Sequence, residues 1–179
     1  MTTIEQALVQ PHGYAGTEHS NQRSSIGGIW RRVWRRIGET SADTSAAIAR
    51  VGLALLMFPH GGQHALGWFG GYGFAGTFGW MTKTLGFPAP AAALAIVTEL
   101  LAPLALLVGV GGRLAAAGIC ALMLGAISTH TPNGFFMNWF GGLPPGAEGY
   151  EYHLMVIVLT IIVMIKGSGA LSLDRRLHT

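Results

Sequence analysis

Four long apolar runs, at about residues 46–66, 88–110, 112–129 and 150–166, leave this chain few ways to fold. A helix crosses a hydrocarbon layer of roughly 30 Å with about 20 residues, and each run approaches that length. Only 11% of the residues are charged, against about 25% in ordinary soluble domains, so a water-facing surface is not expected. The 27 glycines follow no three-residue period, which excludes a collagen-like chain and suits the close packing of membrane helices. The expected fold is an all-α integral membrane four-helix bundle preceded by an amphipathic interfacial helix.

The second and third runs are separated only at Gly111 and Gly112, so they are expected to form an antiparallel hairpin with Arg113 opening the next span. Ten of the eleven Lys and Arg residues fall on one face of the resulting topology: Arg23, Arg31, Arg32, Arg35, Arg36, Arg50, Arg113, Lys166, Arg175 and Arg176, with Lys83 alone opposite. The positive-inside rule then places both termini of a multi-pass protein in the cytoplasm.

Before the first span, Ile26, Ile29, Trp30, Val33, Trp34 and Ile37 recur at helical spacing, with Arg31, Arg32, Arg35 and Arg36 opposite. Such a helix suits the headgroup layer, tryptophans at the interface and arginines on anionic lipid. A nucleic-acid-binding arm is not expected beside a membrane span. The division read from the sequence is a disordered cytoplasmic tail at 1–22, the amphipathic helix and linker at 23–45, and the membrane domain at 46–179. The start lacks the apolar core of a secretory signal, and no cleavage is expected.

Polar residues inside a bilayer are expensive, which makes them candidates for function. Glu99 lies in the middle of the second span, with Thr98 or Gln63 as candidate hydrogen-bond partners; the alternative is a protonated glutamic acid that only joins two helices. Pro103, four residues on, is expected to kink that span towards the same cavity. His60 and His64 are four apart in MFPHGGQHALGWFGG, where Pro59, Gly61 and Gly62 predict a broken helix lining a cavity. His130 closes the third span and His153 opens the fourth, so four histidines are expected at the outer face, with Glu148 and Glu151 as acidic neighbours. Histidine at helix ends is often just solvated. It also serves metal or haem ligation, or a polar pocket for a proton-coupled or redox-active molecule.

The connection WFGGYGFAGTFGWMTKTLGF reads as a long loop able to stack rings over a flat ligand, although Trp68, Trp80 and Trp139 also suit interfacial anchoring. A second aromatic loop, THTPNGFFMNWFGGLPPGAEGYEYH, is expected to help roof the histidines. A single cysteine, Cys120, excludes disulfide frameworks and cysteine-ligated clusters. No P-loop, dinucleotide fingerprint, nucleophile elbow or HExxH motif occurs.

The segments RVGLALLMFPHGGQHALGWFGGYGFAGT, TELLAPLALLVGVGGRLAA, MLGAISTHTPNGFF, GYEYHLMVIVLTIIV and LSLDRR, in this order across about residues 46–177, resemble the DoxX family of four-span bacterial membrane proteins. The resemblance implies association with membrane oxidoreductase systems, including thiosulfate:quinone oxidation and thiol balance. It maps His60 with Gln63, the glutamate Glu99, and the segment carrying His130, Asn133, Phe135 and Phe136 onto the family's motifs.

The expected function is a redox-associated membrane subunit holding a quinone, with Glu99, His60 and His130 moving protons and Gln63, His64, Trp68, Asn133, Phe135, Phe136 and His153 binding the ligand. No metal site is assigned. Its expected partners are the lipid bilayer and either a redox protein or further copies of itself. Two alternatives stay open: a non-catalytic assembly, chaperone or transport component, and a histidine-ligated metal or haem protein.

Overall fold

A computed structural model describes residues 28–29, 38–144 and 147–178, and every regular element among them is helical. The chain divides into two units, Met1–Trp34 and Arg35–Thr179. Of the first, Gly28 and Ile29 are described, both helical. The expected tail at 1–22 and most of the expected amphipathic helix lie outside the described residues.

The second unit contains α1 (Thr44–Gly61), a π-helical turn (Gly62–Leu66), a 3-10 turn (Trp68–Gly70), α2 (Gly73–Lys83), α3 (Ala89–Val108) and α4 (Gly112–His130). A 3-10 turn (Thr131–Asn133), α5 (Glu151–Lys166) and the short α6 (Leu173–His178) complete it. Each of the four expected spans is a helix within a few residues of its expected bounds. Two of them, α3 and the stretch Gly112–Asn133, are long and apolar enough to cross a membrane. α5 has only 16 residues, and α1 carries Arg50.

α1 packs on α3 and α5, and α4 packs on the same two helices. Leu53 and Met57 of α1, Leu106 of α3, Ile119 of α4, and Val156 and Val163 of α5 meet in one buried cluster. The opposite faces are just as apolar: Leu94, Val97, Leu101, Leu104 and Val108 form an exposed stripe along α3 at helical spacing. An apolar face of that extent needs a hydrocarbon surrounding. In such a solvent, burial of apolar surface adds little to helix association, and close packing and polar contacts decide it.

Polar contacts are concentrated at one end. α3 stops at Gly109 (φ 75), whose N–H donates to the Ala105 and Leu106 carbonyls; Gly111 (φ 58) completes the turn into α4. Both glycines adopt a left-handed conformation that other residues enter at a cost. The Arg50 guanidinium, 2% exposed, donates to the carbonyls of Leu106 and Leu107 (3.1 Å for the latter) and of Ser168 (2.7 Å) and Leu171 (3.2 Å). It therefore sits on the negative end of the α3 dipole and ties the chain after α5 to it. Asp174 completes the junction by accepting from the Gly111 and Gly112 N–H groups (2.9 and 3.2 Å) and from the Ser168 hydroxyl (2.5 Å). At the same end Asp43 caps α1 through Ser45 N–H and receives Lys166 Nζ at 2.6 Å.

Candidate functional site

The site arises because α1 stops short. Arg50 of α1 is level with Leu107 of α3, and Gly61 lies against the backbone of Glu99 and Leu100. The end of α1 thus stands beside the middle of α3, and the first half of α3 continues past it. α2 folds back over that half, packing on both α3 and the π turn. A cavity of about 600 Å³ remains among α1, α2, α3, α4 and α5.

The expected helix break at Pro59–Gly62 is not observed. The α-helix runs through Pro59 and widens into the π turn, which ends at Gly67 (φ 74). Pro59 lacks an N–H, but the glycines that follow impose no side-chain clash, and the wider turn absorbs the mismatch. His60 and His64 consequently stay on neighbouring parts of one helical surface, with ring centroids 6.5 Å apart.

Glu99 finds its partner in His64, whose Nδ1 is 2.6 Å from Glu99 Oε2. Neither Thr98 nor Gln63 takes that place. Such a pair has two arrangements, imidazole N–H donating to carboxylate or carboxylic acid donating to imidazole, and a proton crosses between them with no side-chain movement. From His64 the polar groups continue along one wall. His60 Nε2 lies 3.5 Å from the Tyr152 hydroxyl. The Tyr152 and His153 rings are 5.9 Å apart, and those of His153 and His130 4.5 Å. His60, His64, Glu99, Tyr152, His153 and His130 all line the cavity. The four histidines, drawn from α1, the π turn, α4 and α5, therefore share one site. Among the described residues no three His, Cys, Asp or Glu side chains converge to hold a metal ion.

Other expected site residues lie elsewhere. Trp68 is not on the cavity wall and packs edge-on against Phe58 and Phe69. Gln63 is likewise off the wall, its backbone pressed against Gly71. Asn133 Nδ2 donates to the Glu148 carbonyl at 2.9 Å, while Phe135 stacks edge-on with Phe136 and Tyr150; these three shape the outer loop rather than the cavity. Pro103 is buried in α3 away from the wall. The aromatic connection expected as a loop is largely helical, with Phe74, Phe78 and Trp80 on the short helix α2. Trp80, not Trp68, reaches the cavity.

Glu148 and Glu151 were expected to partner the histidines. Glu148 does line the cavity with them, although its Oε2 accepts the Asn138 N–H at 2.7 Å; Glu151 is off the wall and its Oε2 accepts the Met137 N–H at 3.3 Å, so both hold the outer loop. Tyr152 and Thr77 are wall residues that sequence reasoning missed. Tyr152 lies next to His153 in the sequence; Thr77 stands in a glycine-rich stretch with no polar neighbour to mark it.

The DoxX family model matches residues 45–132, which run from the start of α1 to the 3-10 turn after α4 and carry His60, His64, Glu99 and His130. No curated protein and no solved structure matches the chain.

Proposed function

For this membrane protein of the DoxX family, its domain at residues 45–132, we propose a role as a redox-associated subunit of a bacterial inner membrane that binds a quinone. The observation that carries the reading is the His64–Glu99 hydrogen bond at 2.6 Å on the wall of a cavity of about 600 Å³. Reducing a quinone takes two electrons and two protons. The electrons come from a partner protein or a reduced thiol or sulfur substrate. Glu99 and His64 deliver a proton at the quinone oxygen, and Tyr152, His60, His153 and His130 supply the wall along which it is replaced.

In this reading four helices, α1, α3, α4 and α5, form a multi-pass membrane bundle starting near residue 46. The end carrying Arg50, Arg113, Lys166 and Arg175 faces the cytoplasm, as do both termini, and the segment before α1 lies in the headgroup layer. The histidine cavity then opens on the outer half of the bilayer.

Glu99→Gln and His60→Ala variants, made at unchanged abundance, test the proposal. Both are expected to lose redox activity, and the wild-type protein is expected to co-purify with extractable quinone. Wild-type activity from both variants sinks it. Lower abundance with full activity per molecule would assign Glu99 and His64 to joining α1 and α3 in an assembly component.

A further inference from the structure

The cavity is not closed on all sides. Leu94, Ala91 and Ala121 belong to its wall and are nevertheless exposed on the outer surface of α3 and α4. Among the described residues these are the two helices long and apolar enough to cross a membrane. The seam between them is built from small residues, Ala91 and Ala95 on α3 facing Gly118, Ala121 and Gly125 on α4. At one point it is shut, since a Cβ on Gly118 would lie 2.9 Å from Thr98 Cγ2. Two helical turns along, at Gly125, a Cβ would meet nothing within 4 Å among the described residues. The seam therefore widens towards the cavity into a slot that faces hydrocarbon.

At the inner end of this space are two buried polar atoms without a well-formed hydrogen bond. Thr77 Oγ1, in a residue 2% exposed, has no partner among the described residues, although a helical threonine ordinarily turns its hydroxyl to a carbonyl of the preceding turn. His153 Nδ1, in a residue 8% exposed, makes no well-aligned bond, its backbone contact being with Tyr150. An orphaned hydroxyl such as that of Thr77 is unfavourable unless a ligand satisfies it.

We propose that the α3–α4 slot is a lateral portal holding the hydrocarbon tail of an amphiphile drawn from the bilayer, whose polar head accepts a hydrogen bond from Thr77. The inference rests on the pocket reading above and adds to it the route, the tail site and Thr77. A second membrane helix docked on the seam would cover the small residues but leave the Thr77 hydroxyl unsatisfied, which is why a tailed small molecule is the occupant.

Two benzoquinones with the same head, one bearing a ten-carbon chain and one a methyl group, test this in lipid nanodiscs through quenching of tryptophan fluorescence, Trp80 lying on the cavity wall. Gly125→Phe fills the slot where the backbone leaves room; Leu124→Phe adds the same ring next to it but off the wall. Gly125→Phe is expected to weaken the tailed probe at least about tenfold while the short probe stays within about twofold, and Leu124→Phe to change neither. Thr77→Val is expected to weaken both probes about tenfold, with Thr77→Ser restoring them. If Gly125→Phe leaves the tailed probe unchanged, or weakens both probes alike, the portal is overturned and the pocket stands. If neither probe binds the wild-type protein, portal and pocket fail together. A change of oligomeric mass in Gly125→Phe with unchanged probe binding assigns the seam to helix docking and overturns the portal.

Discussion

Gly61 of α1 lies against the backbone carbonyl of Glu99 on α3, so closely that a methyl group at Gly61 would overlap it. This contact sets the level at which α1 meets α3. Three residues on, the π turn presents His64 to the Glu99 carboxyl.

Gly61→Ala is expected to push α1 from α3 and to destabilise the protein by about 1–3 kcal/mol, because the clash is with backbone that has no rotamer to change. Thermal unfolding in detergent reads the effect. Gly125→Ala, where a Cβ meets open space, is the matched control and should be neutral or slightly stabilising.

Arg50 supplies donors to carbonyls at the end of α3 and in the chain that follows α5. Arg50→Met is expected to cost about 3–5 kcal/mol, since buried carbonyls and the Asp174 carboxylate lose their cation together. Lysine has one ammonium and cannot reproduce the planar fork, so Arg50→Lys should recover only part of the loss. A double-mutant cycle with Asp174→Asn, read by chemical unfolding, should show coupling between the two sites.

Asp43, at the start of α1 and outside the apolar spans, accepts from Lys166 Nζ and the Ser45 hydroxyl, and these hold its carboxyl well below the usual range. A depressed folded-state value contributes stability that is fully present above the unfolded carboxylate range and is lost as pH falls through the folded value. Acid titration of the wild-type protein should therefore show a loss of stability beginning below about pH 4. Asp43→Asn should remove that component and leave stability near neutrality slightly lower.

Glu148 and Glu151 hold the amides of Asn138 and Met137. A Glu148→Gln, Glu151→Gln double variant is expected to raise hydrogen exchange at these amides by about tenfold or more, with α4 and α5 unchanged. Unaltered exchange would mean the loop is held by its backbone bonds, such as Glu151 N–H to the Phe135 carbonyl.

The residues legible in the sequence were those whose position alone is anomalous. Glu99 in the middle of an apolar run and four histidines near helix ends needed no partner to be noticed, and all five line the cavity. Gln63, Trp68, Asn133, Phe135 and Phe136 were drawn in by proximity along the chain or by motif. The structure turns them towards loops and packing, because a side chain's direction depends on the turn it occupies. In sequence the aromatic connection reads as a loop, since its glycines argue against a helix; packing on α3 and the π turn overrides that preference.

The apolar runs by themselves determined that the chain is helical and belongs in a bilayer, because hydrophobic length is a property of consecutive residues. Tertiary structure alone decided that α1 continues through Pro59 and on into a π turn, that His64 and not Gln63 reaches Glu99, and that Arg50 closes the opposite end. Each of these depends on the register between helices. That register is set by close contacts such as Gly61 on Glu99 and Gly118 on Thr98, and spacing within one helix does not encode it.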